Sequence, residues 1–237
     1  MTMHYREVSL NATTPEAVSS PNNPTSVTKA ASSFLQDPYR HIGKRLLDLT
    51  VCLMAAPFVV PIVMILALFI KRDGGKAFYT QNRVGRGGQR YKMWKLRSMV
   101  SNADEILEAH LAADPQARAE WDKDQKLKSD PRITKFGNVL RKSSLDELPQ
   151  LWNVVRGEMS LVGPRPMMTC QEALYPGKEY YELLPGISGN WQVSDRNASS
   201  FADRAIYDAA YRKNMSLRED LRILKDTVGV VLKATGY

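Results

Sequence analysis

The sequence predicts a mainly helical α+β protein with one membrane-associated helix near its N-terminus. Three observations predict it. Residues 49 to 70 (LTVCLMAAPFVVPIVMILALFI) are 22 in a row without a formal charge. Two short β-prone runs, FYTQNRV and YKMWKL, flank Gly85-Arg86-Gly87-Gly88, the pattern of a small hairpin. Beyond that hairpin the apolar residues recur at helical rather than alternating spacing.

Composition sets the outer bounds. The 237 residues are 43% apolar, and 33 Lys and Arg against 25 Asp and Glu leave a net charge of +8. That excludes a multi-pass membrane protein and a wholly disordered chain. Cys52 and Cys170 are far apart, and His4, His41 and His110 share no ligand spacing, so neither a disulfide framework nor a zinc site is expected. Residues 1 to 40 carry Arg6, Lys29 and Arg40 against Glu7, Glu16 and Asp37, so the whole excess of +8 lies beyond them. A basic excess suits nucleic acid, anionic lipid or a polyphosphate substrate. With no zinc-finger spacing, RNA-binding aromatic signature or basic repeat, nucleic acid is not an expected partner.

The elements follow in order. Residues 1 to 40 are rich in Ser, Thr, Asn and Pro and have no apolar periodicity, which reads as a flexible tail. They lack the basic and apolar regions of a signal peptide, so the chain is expected to start in the cytoplasm. The apolar run 49 to 70 would make about 33 Å of helix, enough for a hydrocarbon core of about 30 Å. Pro57 and Pro61 each remove a backbone donor and crowd the carbonyl four residues earlier, which predicts two shorter helices joined at Ala56-Pro57. Lys44 and Arg45 precede the run and Lys71 and Arg72 follow it, and basic flanks tend to stay on the cytoplasmic side. On the residues alone, a spanning helix and a re-entrant one stand level.

The glycines of the hairpin match neither a dinucleotide fingerprint nor a P-loop, so they read as a turn. Ser101 or Asn102 is positioned to cap a helix through His110. Asp114-Pro115 supplies the cap and first position of a second, reaching about Lys126. Leu217 to Lys233 carries Leu217, Leu221, Leu224, Val228, Val231 and Leu232 on one stripe, with Ser216 and Glu219 as a capping box. Such a stripe packs on a core or lies in a lipid interface, and the core is the commoner case.

Residues 141 to 166 (RKSSLDELPQLWNVVRGEMSLVGPRP) carry the candidate chemistry. Leu145, Leu148, Leu151, Trp152 and Val155 fall at helical spacing and predict a buried face, with Gly157 ending the helix. Asp146, Glu147, Gln150 and Asn153 lie off that face. A carboxylate in a first helical turn is held in its ionised form by the macrodipole, and free N–H groups there accept phosphate. That suits an aspartate nucleophile attacking phosphorus. Ser144-Leu145-Asp146-Glu147 also satisfies the S-x-x-E capping pattern, in which Glu147 would only hold the Ser144 N–H. Gly163-Pro164-Arg165-Pro166 reads either as a rigid turn or as a proline-braced guanidinium for phosphate.

Several segments together resemble the bacterial sugar transferases, the monotopic phosphoglycosyl transferases that move a sugar 1-phosphate from a nucleotide sugar to a polyprenyl phosphate. They are KRLLDL, Ala56-Pro57 in the apolar run, FYTQNRVG, YKMWKLRSM, RKSSLDELPQLWNVVRGEMSLVGPRP, LLPGISGNWQVSDRN and YRKNMSLREDLRILKDT. The resembling run is Lys44 to Val231, and these segments lie along it in the family's order, over about four fifths of the chain.

The resemblance implies a mainly helical α+β fold with an N-terminal re-entrant membrane helix broken at Ala56 and Pro57, a small β-hairpin, and amphipathic interfacial helices around a catalytic helix. The implied division is a tail over 1–40, the membrane helix over 41–72 and a cytoplasmic catalytic domain over 73–237. It implies that Asp146 is the nucleophile of a covalent phospho-sugar intermediate with release of UMP, and that Glu147 is the carboxylate associated with Mg²⁺. Arg141, Arg165, Lys95 and Arg196 are the implied phosphate and substrate contacts. The expected partners are a UDP-sugar, galactose favoured over glucose, undecaprenyl phosphate and the lipid bilayer; a homo-oligomer is compatible with the sequence. The expected location is the bacterial inner membrane with the active site on its cytoplasmic face, at the first step of exopolysaccharide assembly. Where many members read Q-V-N-G-R, this chain has Gln192-Val193-Ser194-Asp195-Arg196, and it lacks the long multi-helix region of larger relatives. Two other classes compete: a non-catalytic membrane-surface adaptor, and a metal-dependent hydrolase of nucleotide sugars, which would need no apolar segment.

Overall fold

The computed structural model describes residues 38–72, 74–124, 127–194 and 200–232; the expected N-terminal tail lies outside them up to residue 37. After a π-helical turn at Tyr39–Gly43, helix α1 runs from Lys44 to Lys71. It is one 28-residue helix that contains both Pro57 and Pro61, in place of the two shorter helices expected. The prolines sit four apart, so the carbonyls that lose a donor, those of Leu53 and Pro57, lie one turn apart on one side. The remaining ladder carries the helix through.

Helix α1 is docked at both ends. Near its start Arg45 donates to the Val154 and Val155 carbonyls at 2.5 and 2.9 Å. Asp48 accepts from Ser160 Oγ and the Leu161 N–H, each at 3.0 Å. Lys44 Nζ reaches Asp220 at 2.7 Å, a carboxylate that also accepts from Tyr211 at 2.6 Å. Near its end Ala67 and Ile70 pack with Ala77, Leu96 and Leu140. Between these points Leu53, Phe58, Met64 and Leu68 are exposed, in a helix long and apolar enough to cross a membrane.

The hairpin is present as expected. Strands β1 (Phe78–Val84) and β2 (Arg90–Leu96) pair antiparallel with Thr80 opposite Trp94, and the turn uses Gly87 at φ 68°. Helices α2 (Ala103–Ala113) and α3 (Pro115–Asp124) follow, with Asp114 Oδ1 accepting from the Gln116 and Ala117 N–H groups as the cap. Helix α4 (Lys135–Lys142) leads into a 3₁₀ turn, Leu145–Glu147, and then α5 (Gln150–Arg156). The single amphipathic helix expected from Leu145 is thus divided. Pro149 has no N–H to return to the Leu145 carbonyl, so only the tighter turn forms before it. Gly157 ends α5 at φ 78°, as expected.

The most deeply buried side of α5 is not the one hydropathy predicts, although Leu151 of the predicted face is half-buried against the core. Trp152 and Val155 are 55% and 42% exposed, while Gln150, Asn153 and Val154 are buried. Asn153 is the reason: its amide donates to the Lys92 carbonyl at 2.8 Å and accepts from the Trp94 N–H at 3.0 Å. It thereby satisfies the outer edge of β2, which no strand among the described residues pairs.

Strand β3 (Ser160–Val162) pairs parallel with β4 (Gly186–Ser188). The short helices α6 (Glu179–Glu182) and α7 (Asn190–Val193), then α8 (Arg204–Asn214) and α9 (Leu217–Leu232), complete the chain. The main core gathers Tyr91, Met93, Val154, Met159, Leu161, Val162, Leu183, Tyr211 and Ile223. Helix α9 also turns a partly unexpected face inward: Asp220 and Ile223 are fully buried and Leu224 of the predicted stripe packs on the core, while Leu217, Leu221 and Val228 of that stripe are exposed. Only half of its capping box forms, with the Glu219 N–H donating to Ser216 Oγ at 3.3 Å, because the Glu219 carboxylate pairs with Arg222.

Candidate active site

Asp146 owes its position to a strained residue. Ser144 stands at φ 56°, the one non-glycine positive φ among the described residues. A left-handed serine costs on the order of 1 kcal/mol and lets the chain reverse sharply between α4 and the 3₁₀ turn. Asp146 is thereby buried, 7% exposed. The capping alternative is not realised. Ser144 makes no side-chain cap, and the Glu147 carboxylate accepts from Lys95 Nζ at 2.7 Å instead.

Lys95, at the end of β2, serves both carboxylates. Its ammonium is 3.8 Å from Asp146 Oδ2 as well. The two acids nevertheless diverge. Burial raises the Asp146 carboxyl above the usual carboxylate range, with Lys95 opposing and Glu147 adding to the rise. Burial also acts against the Glu147 anion, but Lys95, Arg165 and Arg83 outweigh it and hold Glu147 below its usual value. Adjacent carboxyls with environments that part their ionisation are suited to different roles.

The expected cations converge on this pair. Arg141, in the last turn of α4, donates from Nε to Ser98 Oγ at 2.9 Å and acts electrostatically on Asp146. Arg165 follows Gly163, where an added Cβ would lie 2.2 Å from the Leu184 carbonyl oxygen, so only glycine lets this segment lie against the β4 chain. Its guanidinium sits 5.7 Å from the centre of the Trp191 ring. Arg196 lies outside the described residues.

Two cations escaped the sequence reading. Arg83, near the end of β1, donates to the Pro166 carbonyl at 3.3 Å. Arg204, the first residue of α8, stacks on Trp191 and Phe201 at 4.3 and 4.5 Å. Arg83 stands within the FYTQNRVG segment, but strand periodicity alone treats it as an ordinary polar position. Beside the turn, an apolar groove of about 550 Å³ runs under the middle of α1, lined by Ala56, Val63, Phe78, Leu148, Trp152 and Val155 among others. The arrangement is therefore a buried carboxylate, a more acidic neighbour, a ring of cations and an adjoining apolar trough. It is equipped to receive phosphate groups beside an apolar chain.

Comparison with known proteins agrees. The family described as bacterial sugar transferase matches residues 39–234. A UDP-galactose-lipid carrier transferase from Erwinia amylovora is 53% identical over 195 residues, 81% of this chain and 41% of that protein. An undecaprenyl-phosphate galactose phosphotransferase from Salmonella typhimurium is 45% identical over 212 residues, 89% of this chain and 43% of the relative. This chain thus spans about two fifths of the length of those two. It covers 98% of the exopolysaccharide production protein ExoY of Rhizobium meliloti, at 40% identity over 222 residues. The chain belongs to the bacterial sugar transferase family.

Proposed function

We propose that the protein is a phosphoglycosyl transferase that moves hexose 1-phosphate, with galactose the favoured hexose, from a UDP-sugar to undecaprenyl phosphate in exopolysaccharide assembly. The observation that carries this reading is the buried Asp146 carboxyl, 3.8 Å from a lysine that is itself bound to Glu147. In the first step an Asp146 carboxylate oxygen attacks the phosphorus that bears the sugar. The bond from that phosphorus to the bridging oxygen breaks, and UMP leaves with the electron pair. In the second step a phosphate oxygen of the acceptor attacks the same phosphorus and the carboxylate is released. Splitting one displacement in two is what a covalent nucleophile contributes.

Lys95, Arg141 and Arg165 hold the phosphate groups and offset their charge against the anionic attacker. A hard divalent cation such as Mg²⁺ fits the donor set, because Mg²⁺ is bound through one or two carboxylates and completes its shell with water and substrate phosphate. Glu147, held ionised, is the residue that would take it, with Asp146 alongside. When bound, the ion supplies charge neutralisation at the phosphates.

The membrane reading is re-entrant. It is supported by the docking of both ends of α1 onto the same catalytic body, since a straight span would carry its far end about 30 Å away across the hydrocarbon. With basic residues at both ends, the catalytic domain then lies on the cytoplasmic face of the inner membrane. There the groove under α1 receives the isoprenoid chain of the acceptor, with its phosphate reaching the turn at Asp146.

The test is intact-protein mass spectrometry of the detergent-solubilised protein with Mg²⁺ and UDP-galactose, in parallel with UDP-glucose, without acceptor. A gain of one hexose phosphate is expected for the wild type and none for Asp146→Asn. Normal turnover by a folded Asp146→Asn protein would refute the covalent route.

A further inference from the structure

Three guanidinium groups converge on the segment that follows β3, and among the described residues none makes direct contact with a carboxylate, although Asp208 acts on Arg204 from a distance. Arg83 Nη1 donates to the Pro166 carbonyl and Nη2 to Gln81 Oε1. Arg165 is the residue before that proline, and it shares the Trp191 ring with Arg204. Nothing among the described residues gives any of the three a carboxylate hydrogen bond or ion pair, and Nε of both Arg83 and Arg204 is buried without a partner. The arrangement is braced from behind. The Val84 N–H donates to the Met167 carbonyl at 3.0 Å, and the Tyr180 hydroxyl donates to the Val84 carbonyl at 2.6 Å while accepting from the Met167 N–H at 3.0 Å.

Gathering like charges with no counter-ion in direct contact is costly unless a ligand supplies one. Burial, then the charges of Arg165 and Arg83, hold Arg204 down at about 10 against the opposing pull of Asp208, and burial with the Arg165 charge lowers Arg83. Glu147 lies within electrostatic reach of Arg165 and Arg83, which ties the cluster to the acid pair. Planar guanidinium forks suit the paired oxygens of phosphate groups better than ammonium groups do.

We propose that Arg83, Arg165 and Arg204 form a diphosphate pocket that holds the nucleoside diphosphate moiety of the donor, with Arg83 and Arg204 as binding residues for it. This rests on the nucleotide-sugar reading above and adds where the donor's two phosphates lie. Trp191 acts as the platform that keeps two of the forks in position.

The experiment measures UDP affinity, by titration calorimetry, of the full-length protein in detergent, comparing wild type with Arg83→Gln and Arg204→Gln. UDP has no sugar to transfer, so binding is read apart from chemistry. Each loss of a charge-assisted contact is expected to weaken UDP by about tenfold or more. Each variant is also expected to slow adduct formation from the UDP-sugar, while discharge of preformed adduct to polyprenyl phosphate stays within about twofold of wild type. Unchanged UDP affinity with impaired discharge would overturn the proposal in favour of a pocket for the acceptor's phosphate, and no effect on either would overturn it outright. Arg83→Lys and Arg204→Lys serve where a glutamine variant does not fold. They retain the charge but lose the fork, and an affinity equal to wild type in both would also overturn the proposal. Arginine-dependent UDP binding without any adduct in the wild type would leave the pocket standing and remove the covalent mechanism.

Discussion

Asn153→Ala tests the inverted packing of α5. The side chain is fully buried and closes two backbone groups of β2, the Lys92 carbonyl at 2.8 Å and the Trp94 N–H at 3.0 Å, while also donating to Glu158 at 2.6 Å. Truncation to alanine orphans both backbone groups, at about 1–3 kcal/mol each. The sum is about 2–6 kcal/mol, and for a chain of this size each kcal/mol moves Tm by about 2–4 °C. Thermal unfolding in one detergent should therefore show a fall of at least about 4 °C. The neighbouring Trp152→Gln, at a side chain 55% exposed, should shift Tm far less, within the range of surface changes. Hydropathy predicts the reverse ranking, with the tryptophan in the core and the asparagine outside. A larger loss from Trp152→Gln than from Asn153→Ala would refute the assignment of faces.

Three further outcomes follow from individual contacts. Asp208 is pushed up to about 7, first by burial, with the Tyr175 hydroxyl at 2.9 Å and Arg204 opposing. An acid whose folded value lies above its unfolded one loses stability as pH rises between the two. Asp208→Asn should therefore gain on wild type by up to about 4 kcal/mol between pH 4 and 7 and hold that margin above it; denaturant titrations across that range check this, and a margin independent of pH contradicts it. Gly163→Ala places a Cβ 2.2 Å from the Leu184 carbonyl oxygen, backbone against side chain with no rotamer to escape, so a loss of about 3 kcal/mol or more is expected. A wild-type Tm would show that this segment is less tightly held than the contact implies. Arg45→Ala removes charged donors from the Val154 and Val155 carbonyls and should cost about 2 kcal/mol, read as a Tm shift that Arg45→Lys only partly restores.

The sequence by itself determined the parts that rest on covalent chemistry or on residues with narrow conformational habits. The apolar run, the hairpin with its glycine turn, the Asp114-Pro115 helix start and the Gly157 helix end are all where those habits put them. The acid pair and three of its cations, Lys95, Arg141 and Arg165, were legible because they stand in recognisable motifs, and the structure brings them together. Other features depended on partners that no local rule supplies. Ser144-Leu145-Asp146-Glu147 reads as a capping box until Lys95, about fifty residues earlier in the chain, takes the Glu147 carboxylate. Arg83 and Arg204 are about 120 residues apart and become one cluster only because Val84 pairs with Met167 while Trp191 lies under Arg204.

The faces of α5 and α9 make the same point most sharply. Periodicity established that each helix has an apolar and a polar side, but not what each side would meet. Tertiary structure brought polar residues inward beside Val154 and Ile223, where Asn153 completes an open strand edge and Asp220 receives Tyr211 and Lys44, and turned Trp152, Val155, Leu217, Leu221 and Val228 outward. The physical reason is that an apolar stripe records only a preference against water. Where a bilayer is one of the available surroundings, a core and a lipid surface satisfy that preference equally, and only the hydrogen bonds that must close inside the fold decide between them.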